Sequence, residues 1–148
     1  MPSLASVGGP EQALQFEVRK VRLKATAAVA VGTTVSISNA TLLANVPEAA
    51  PAVAATVGGG DRPGLVAVAL EAAAIGGFFD AVFEGAVTAN ASGTAVTAGD
   101  YLTVIADGAL GTAVAANNDN VVGLALSDEA SDQIVAWMYG KPTGSLSD

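Results

Sequence analysis

The chain has 148 residues, of which 51% are hydrophobic, with seventeen glycines, six prolines and a net charge of −8. It contains neither Cys nor His, which excludes disulfides, thiol nucleophiles, thiolate and imidazole metal sites, and the commonest general base of hydrolases. An acidic body repels phosphate backbones, so the charge balance also argues against nucleic-acid binding.

The length fits one globular domain. Its apolar residues are mainly Ala and Val, with one Trp, two Tyr and four Phe. Small side chains and frequent glycines describe thin, closely approached β layers. Residues 1–13, MPSLASVGGPEQA, carry two prolines and two glycines and read as an extended arm. The next stretch, LQFEVRKVRLKATAAVAV, alternates Leu14, Phe16 and Val18 and then shifts phase to Val21 and Leu23. That change predicts a bulge near Arg19–Lys20. Arg19, Lys20, Arg22 and Lys24 are four of the six basic residues. Two readings stay open for them: a strand edge protected by charge, or a stretch laid across an acidic neighbour, such as an identical subunit.

Gly32 breaks the run, and TTVSISNATLLANV resumes strand chemistry. The stretch from Ala25 to Pro47 is uncharged and long enough to span a bilayer. Thr33, Thr34, Ser36, Ser38, Asn39, Thr41 and Asn45 interrupt it in strand-like alternation, which argues against a membrane span. No signal-peptide layout opens the chain, so the expectation is a soluble protein made in the cytoplasm. Residues 47–63, PEAAPAVAATVGGGDRP, are the least regular part: Pro51 rules out a long helix, Gly58, Gly59 and Gly60 read as a loop, and there is room for one short helical turn. Further on, Asp107–Gly108 lies between DYLTVIA and ALGTAVA, a strong hairpin signal. NNDN marks another turn, and the tail KPTGSLSD, residues 142–148 in particular, reads as fraying.

Three phrases occur twice: VAVGTTVSI and VTAGDYLTV, VAVALE and VGLALS, FDAVFEG and IVAWMYG. The expectation is one all-β domain over 25–141, built from two pseudo-repeats at about 25–85 and 92–140. Two such units close into a small barrel or sandwich with few free edges.

Chemistry is sparse. VGGGDRPG and GKPTG lack the Lys-Ser/Thr of a phosphate loop and read as turns. Asp80 and Glu84 share one strand, and together with Glu71 they are the candidates for carboxylate catalysis. The simpler reading is an outward face, shared with Val82 between them, with Phe79, Ala81 and Phe83 pointing in. NNDN and SDEASD lack calcium-loop spacing. No cofactor, metal site or enzyme activity is expected.

The segment Ile134–Tyr139 is apolar on both faces. Ile134, Ala136 and Met138 share one face, and Val135, Trp137 and Tyr139 the other. Trp and Tyr join large apolar area to a polar tip, so Val135, Trp137 and Tyr139 are read as a subunit interface.

VTAGDYLTV, followed by a hairpin and NVVGLALSDEASDQIVAWMYG, resembles the capsid cement, or head decoration, proteins of tailed bacteriophages. RPGLVAVALEAAAIGGFFDAVFEGAV resembles a region of the phage lambda-like members. The resemblance covers roughly residues 25–140. It implies a small β-barrel or β-tulip with an extended N-terminal arm and first strand entry over residues 1–24. It further implies a homotrimer on the exterior of the expanded virion capsid, at three-fold and quasi-three-fold positions, stabilising the shell against internal DNA pressure. The partners implied are the major capsid protein and the chain itself, with no nucleic acid and no membrane. The arm, through Phe16, Val18, Arg19, Lys20, Arg22 and Lys24, would bind the capsid or a neighbouring subunit. Other readings are a head-fibre or tail-associated β module, or a carbohydrate-binding β-sandwich. The last usually exposes more stacking aromatics than this chain holds.

Overall fold

The computed structural model describes residues 18–38, 46–53, 65–92, 95–115 and 120–140. Among these the fold is all-β: β1 (Arg19–Ala25), β2 (Thr34–Ser38), β3 (Glu48–Pro51), β4 (Leu65–Ala69), β5 (Phe78–Asn90), β6 (Tyr101–Ala106), β7 (Ala109–Thr112), β8 (Gly123–Ala125) and β9 (Gln133–Tyr139). The strand order is β1-β3-β2-β4-β5-β9-β8-β6-β7, and β1 also pairs with β5. The first five strands therefore close on themselves as a barrel, and β5 carries the sheet onward into a second lobe.

β5 serves both lobes because it is thirteen residues long. Its first half pairs antiparallel with β1 and β4, and its second half, from Glu84 to Asn90, with β9. The register with β1 shifts between Arg19 and Lys20, where the apolar phase of the sequence changes. Gly85 follows with φ 112, a conformation that suits a residue without Cβ. Both irregularities bend and coil the strand at the point of handover.

The halves share a strand order, β3-β2-β4-β5 and β7-β6-β8-β9, and they share bonds. Gly32 N–H donates to Ala69 O at 2.9 Å, and Gly99 N–H to Ala125 O at 2.8 Å. Leu70 N–H donates to Asp80 O at 2.9 Å, and Leu126 N–H to Val135 O at 2.8 Å. Each glycine also has positive φ, 82 at Gly32 and 96 at Gly99, as the turn into the next strand requires.

The described residues form two cores. Leu23, Val35, Ala67, Ala69, Phe79 and Ala81 fill the barrel. The larger core joins Leu102, Val104, Ile134, Ala136 and Met138 of the second lobe to Val66, Val68 and Val82. β4 is consequently buried on both faces, and the second lobe lies against the outside of the barrel. Main-chain bonds pin it there: Thr34 N–H donates to Gly108 O at 2.9 Å, and Gly108 N–H to Ala52 O at 2.8 Å.

Three sequence expectations change. Residues 19–24, read as the end of the arm and the entry to the first strand, are a strand of the barrel itself, because β5 supplies a full antiparallel partner. The irregular reading of 47–63, with room for a helical turn, gives way at β3, an Ala-rich segment held parallel to β1 and antiparallel to β2; pairing overrides its weak strand propensity. Val82 does not share solvent with Asp80 and Glu84. It is 2% exposed, under the second lobe.

Candidate functional site

The two arginines of β1 stand opposite acidic residues of β5, whereas Lys20 is opposite Val82 and Lys24 opposite Phe78. Arg22 is the direct partner of Asp80, and its Nη1 lies 3.1 Å from Asp80 Oδ1 and 4.0 Å from Glu71 Oε1. Glu71 Oε1 also accepts the Asp80 N–H at 2.9 Å. Arg19 Nε sits 3.5 Å from Glu84 Oε1. The Arg22 guanidinium stacks over Phe78, 5.9 Å from the ring centre. Asp80 and Glu84 are thus engaged by separate arginines on an open face. A retaining or inverting glycosidase needs a carboxyl in an apolar pocket, and this arrangement supplies ion-paired surface instead. Lys20 and Lys24 occupy the same strand and are exposed. Val18 is part-buried against the larger core, and Phe16 lies outside the described residues.

β9 presents the second feature. Its inward face, Ile134, Ala136 and Met138, is buried. Its outward face carries Val135, 38% exposed, with Trp137 and Tyr139 half-buried. The structure extends this face beyond the residues the sequence marks. Trp137 is paired with Leu124 of β8, Leu124 with Tyr101 of β6, and Leu126 bonds back to Val135. Tyr101 is 51% and Leu126 44% exposed. Burial, and then the neighbouring Tyr101, push the Tyr139 phenol above its ordinary pKa of 10.0. The result is an uncharged apolar and aromatic face across β6, β8 and β9, with Glu84 at its margin.

Sequence reasoning missed Tyr101, Leu124 and Leu126. The signal was present in the doubled phrases. Tyr101 and Leu124 stand where the first half has Thr34 and Val68, both fully buried. Larger groups therefore occupy the half that is left more open.

Among the described residues no cluster of acidic side chains is arranged to hold a metal ion, and no helix is long and apolar enough to cross a membrane.

No family model matches the chain, and no curated protein matches it. Among solved structures, the fold is similar to the N base of the head fiber protein gp8.5 of bacteriophage phi29. That match has a TM-score of 0.58 at 16% sequence identity and covers 85% of this chain and 98% of that one. The likeness shows a shared all-β fold, and its source is a head-fibre protein rather than a head decoration protein.

Proposed function

We propose that the chain is a structural, non-enzymatic component of a bacteriophage head, of the head-fibre base type. The observation that carries this reading is the fold shared over nearly the whole length of the phi29 head-fibre base. The uncharged face of Tyr101, Leu124, Val135, Trp137 and Tyr139 supports it, because a scaffold of this kind works by association rather than turnover. In this reading the face joins copies of the chain, as a homotrimer. Neutrality of the patch matters there, since copies that each carry a net charge of −8 meet best where no like charges oppose.

The partner on the shell is the major capsid protein, at the exterior of the expanded head. Residues N-terminal to β1, with Lys20 and Lys24 behind them, provide the attachment. Many modest contacts add up over a shell. Cementing the shell against internal pressure is the narrower form of the same role.

Co-sedimentation with expanded, undecorated heads tests the proposal, comparing the full chain with one lacking residues 1–17. Saturable binding, weakened by the truncation, is the expected result. A full-length chain that stays in the supernatant at every head concentration would overturn it.

A further inference from the structure

The two halves turn in the same way but differ in the chemistry of the turn. Leu70 and Leu126 make equivalent bonds, to Asp80 O and Val135 O. The turn that follows reads AAAIG over 72–76 in the first half and DEASD over 128–132 in the second. In the first, Gly77 N–H donates to Ala74 O at 2.8 Å and Gly76 N–H to Ala25 O at 2.7 Å, which fixes the turn at the end of β1. It holds Ile75 out, 73% exposed, and Phe78, at the start of β5, is 49% exposed under the Arg22 guanidinium. Large apolar side chains gathered at one exposed tip mark a contact surface.

The same contrast runs through the whole lobes. Residues 18–85 hold five basic and five acidic side chains, whereas residues 86–140 hold six acidic and no basic ones. The face over β6, β8 and β9 lies on the acidic lobe. The DEASD turn borders it, since Ser127 Oγ accepts the Val135 N–H at 2.9 Å. Two copies meeting through that same face would bring two acidic lobes together, which like charge opposes. A three-fold ring is built from heterologous junctions, each joining that face to a different surface of the next copy. The neutral barrel receives an acidic lobe without that opposition, and its Ile75–Phe78 tip supplies the apolar area. Phe78 and Asn90 end the thirteen-residue β5 and stand up to about 40 Å apart along it. Asn90 is paired with Gln133, next to the acidic turn. The apolar tip and the acidic turn therefore mark opposite ends of one copy, as a head-to-tail contact requires.

We propose that the β6–β8–β9 face of one copy docks head-to-tail on the Ile75–Phe78 tip of the next. This rests on the reading of that face as the junction between copies, and it names the surface the face meets. Sedimentation velocity of the full chain tests it. Ile75 projects into solvent, so substitution there leaves the fold intact. Ile75→Asp should weaken self-association about tenfold or more, and Ile75→Val should leave it unchanged. An equimolar mixture of the Ile75→Asp chain with a chain carrying Tyr101→Ser and Val135→Ser should associate at least about tenfold more tightly than either alone, because each supplies the surface that the other lacks. Ile75→Asp chains that assemble like the unaltered chain would overturn the proposal and leave the face in place. So would a mixture no tighter than its parts. Assembly unaffected by Tyr101→Ser and Val135→Ser would overturn the reading of the face itself.

Discussion

Arg22 and Asp80 face each other directly across the β1–β5 ladder, with 3.1 Å between Nη1 and Oδ1. Their side chains are 58% and 46% exposed, so solvent screens the pair, and the expected coupling is below about 1 kcal/mol. A double-mutant cycle with Arg22→Gln and Asp80→Asn, read by urea unfolding, checks this. The coupling should shrink further between about 0.05 M and 0.5 M salt. A coupling of several kcal/mol would show that β1 is held by charge rather than by its ladder and by Leu23.

Gly108 and Gly99 both have positive φ, 72 and 96, but only one is crowded. A Cβ on Gly108 would run into Thr33 Cγ2, whereas one on Gly99 would meet nothing within 4 Å. Gly99→Ala should cost about 1 kcal/mol, the conformational penalty alone. Gly108→Ala should cost about 2–4 kcal/mol, because it also forces the β6–β7 hairpin off the barrel. Thermal unfolding of the two variants, side by side, gives the difference.

Thr34 is fully buried, and its hydroxyl has no hydrogen-bond partner among the described residues. Burying an unpaired hydroxyl costs about 1–3 kcal/mol. Thr34→Val keeps the shape and removes that cost, so the midpoint of urea unfolding should rise. A fall would mean that the hydroxyl is satisfied in solution.

The uncharged face over β6, β8 and β9 leads to a prediction that separates association from folding. Tyr101→Ser combined with Val135→Ser should weaken self-association about tenfold or more in sedimentation velocity. The unfolding free energy of the isolated subunit should move by only about 0.5 kcal/mol, as for other exposed positions. Unchanged association would remove the face from the interface.

The same face titrates. Tyr139 has its pKa raised above 10.0 by burial and by Tyr101. A raised folded-state value means that its contribution to stability is complete below the unfolded pKa. The contribution is lost as pH rises through the folded pKa. Stability should therefore decline above pH 10.0. The chain has two tyrosines, so Tyr101→Phe isolates Tyr139 in phenolate absorbance. Its midpoint should remain above 10.0, because burial is the larger cause, and should lie below that of Tyr139 in the unaltered chain.

Local chemistry made much of the fold legible. Asp107–Gly108 announced the β6–β7 hairpin, the phase change at Arg19–Lys20 announced the register shift, and the alternation of Ile134, Ala136 and Met138 announced the buried face of β9. What stayed hidden is tertiary. Val82 sits between two acidic residues on a face that alternation assigns to solvent, and only the docking of the second lobe buries it. β3 has little strand propensity and exists because β1 and β2 bracket it. For the candidate site, Val135, Trp137 and Tyr139 could be read from one strand. Tyr101 and Leu124 join them only through the pairing of β6 and β8 with β9. The basic run reads in sequence only as charge; Arg22 pairs with Asp80, fifty-eight residues away, and Arg19 with Glu84, beyond any local pattern.

Glu84 has Arg19 as its partner on one strand and Tyr139 on another. The first strand of the described body thus begins, and the last ends, at the same rung of β5. Whatever is attached before Arg19 and whatever follows Tyr139 depart from one spot. A short peptide joining Arg19 to Tyr139 would close the described body into a circle with every described strand in place.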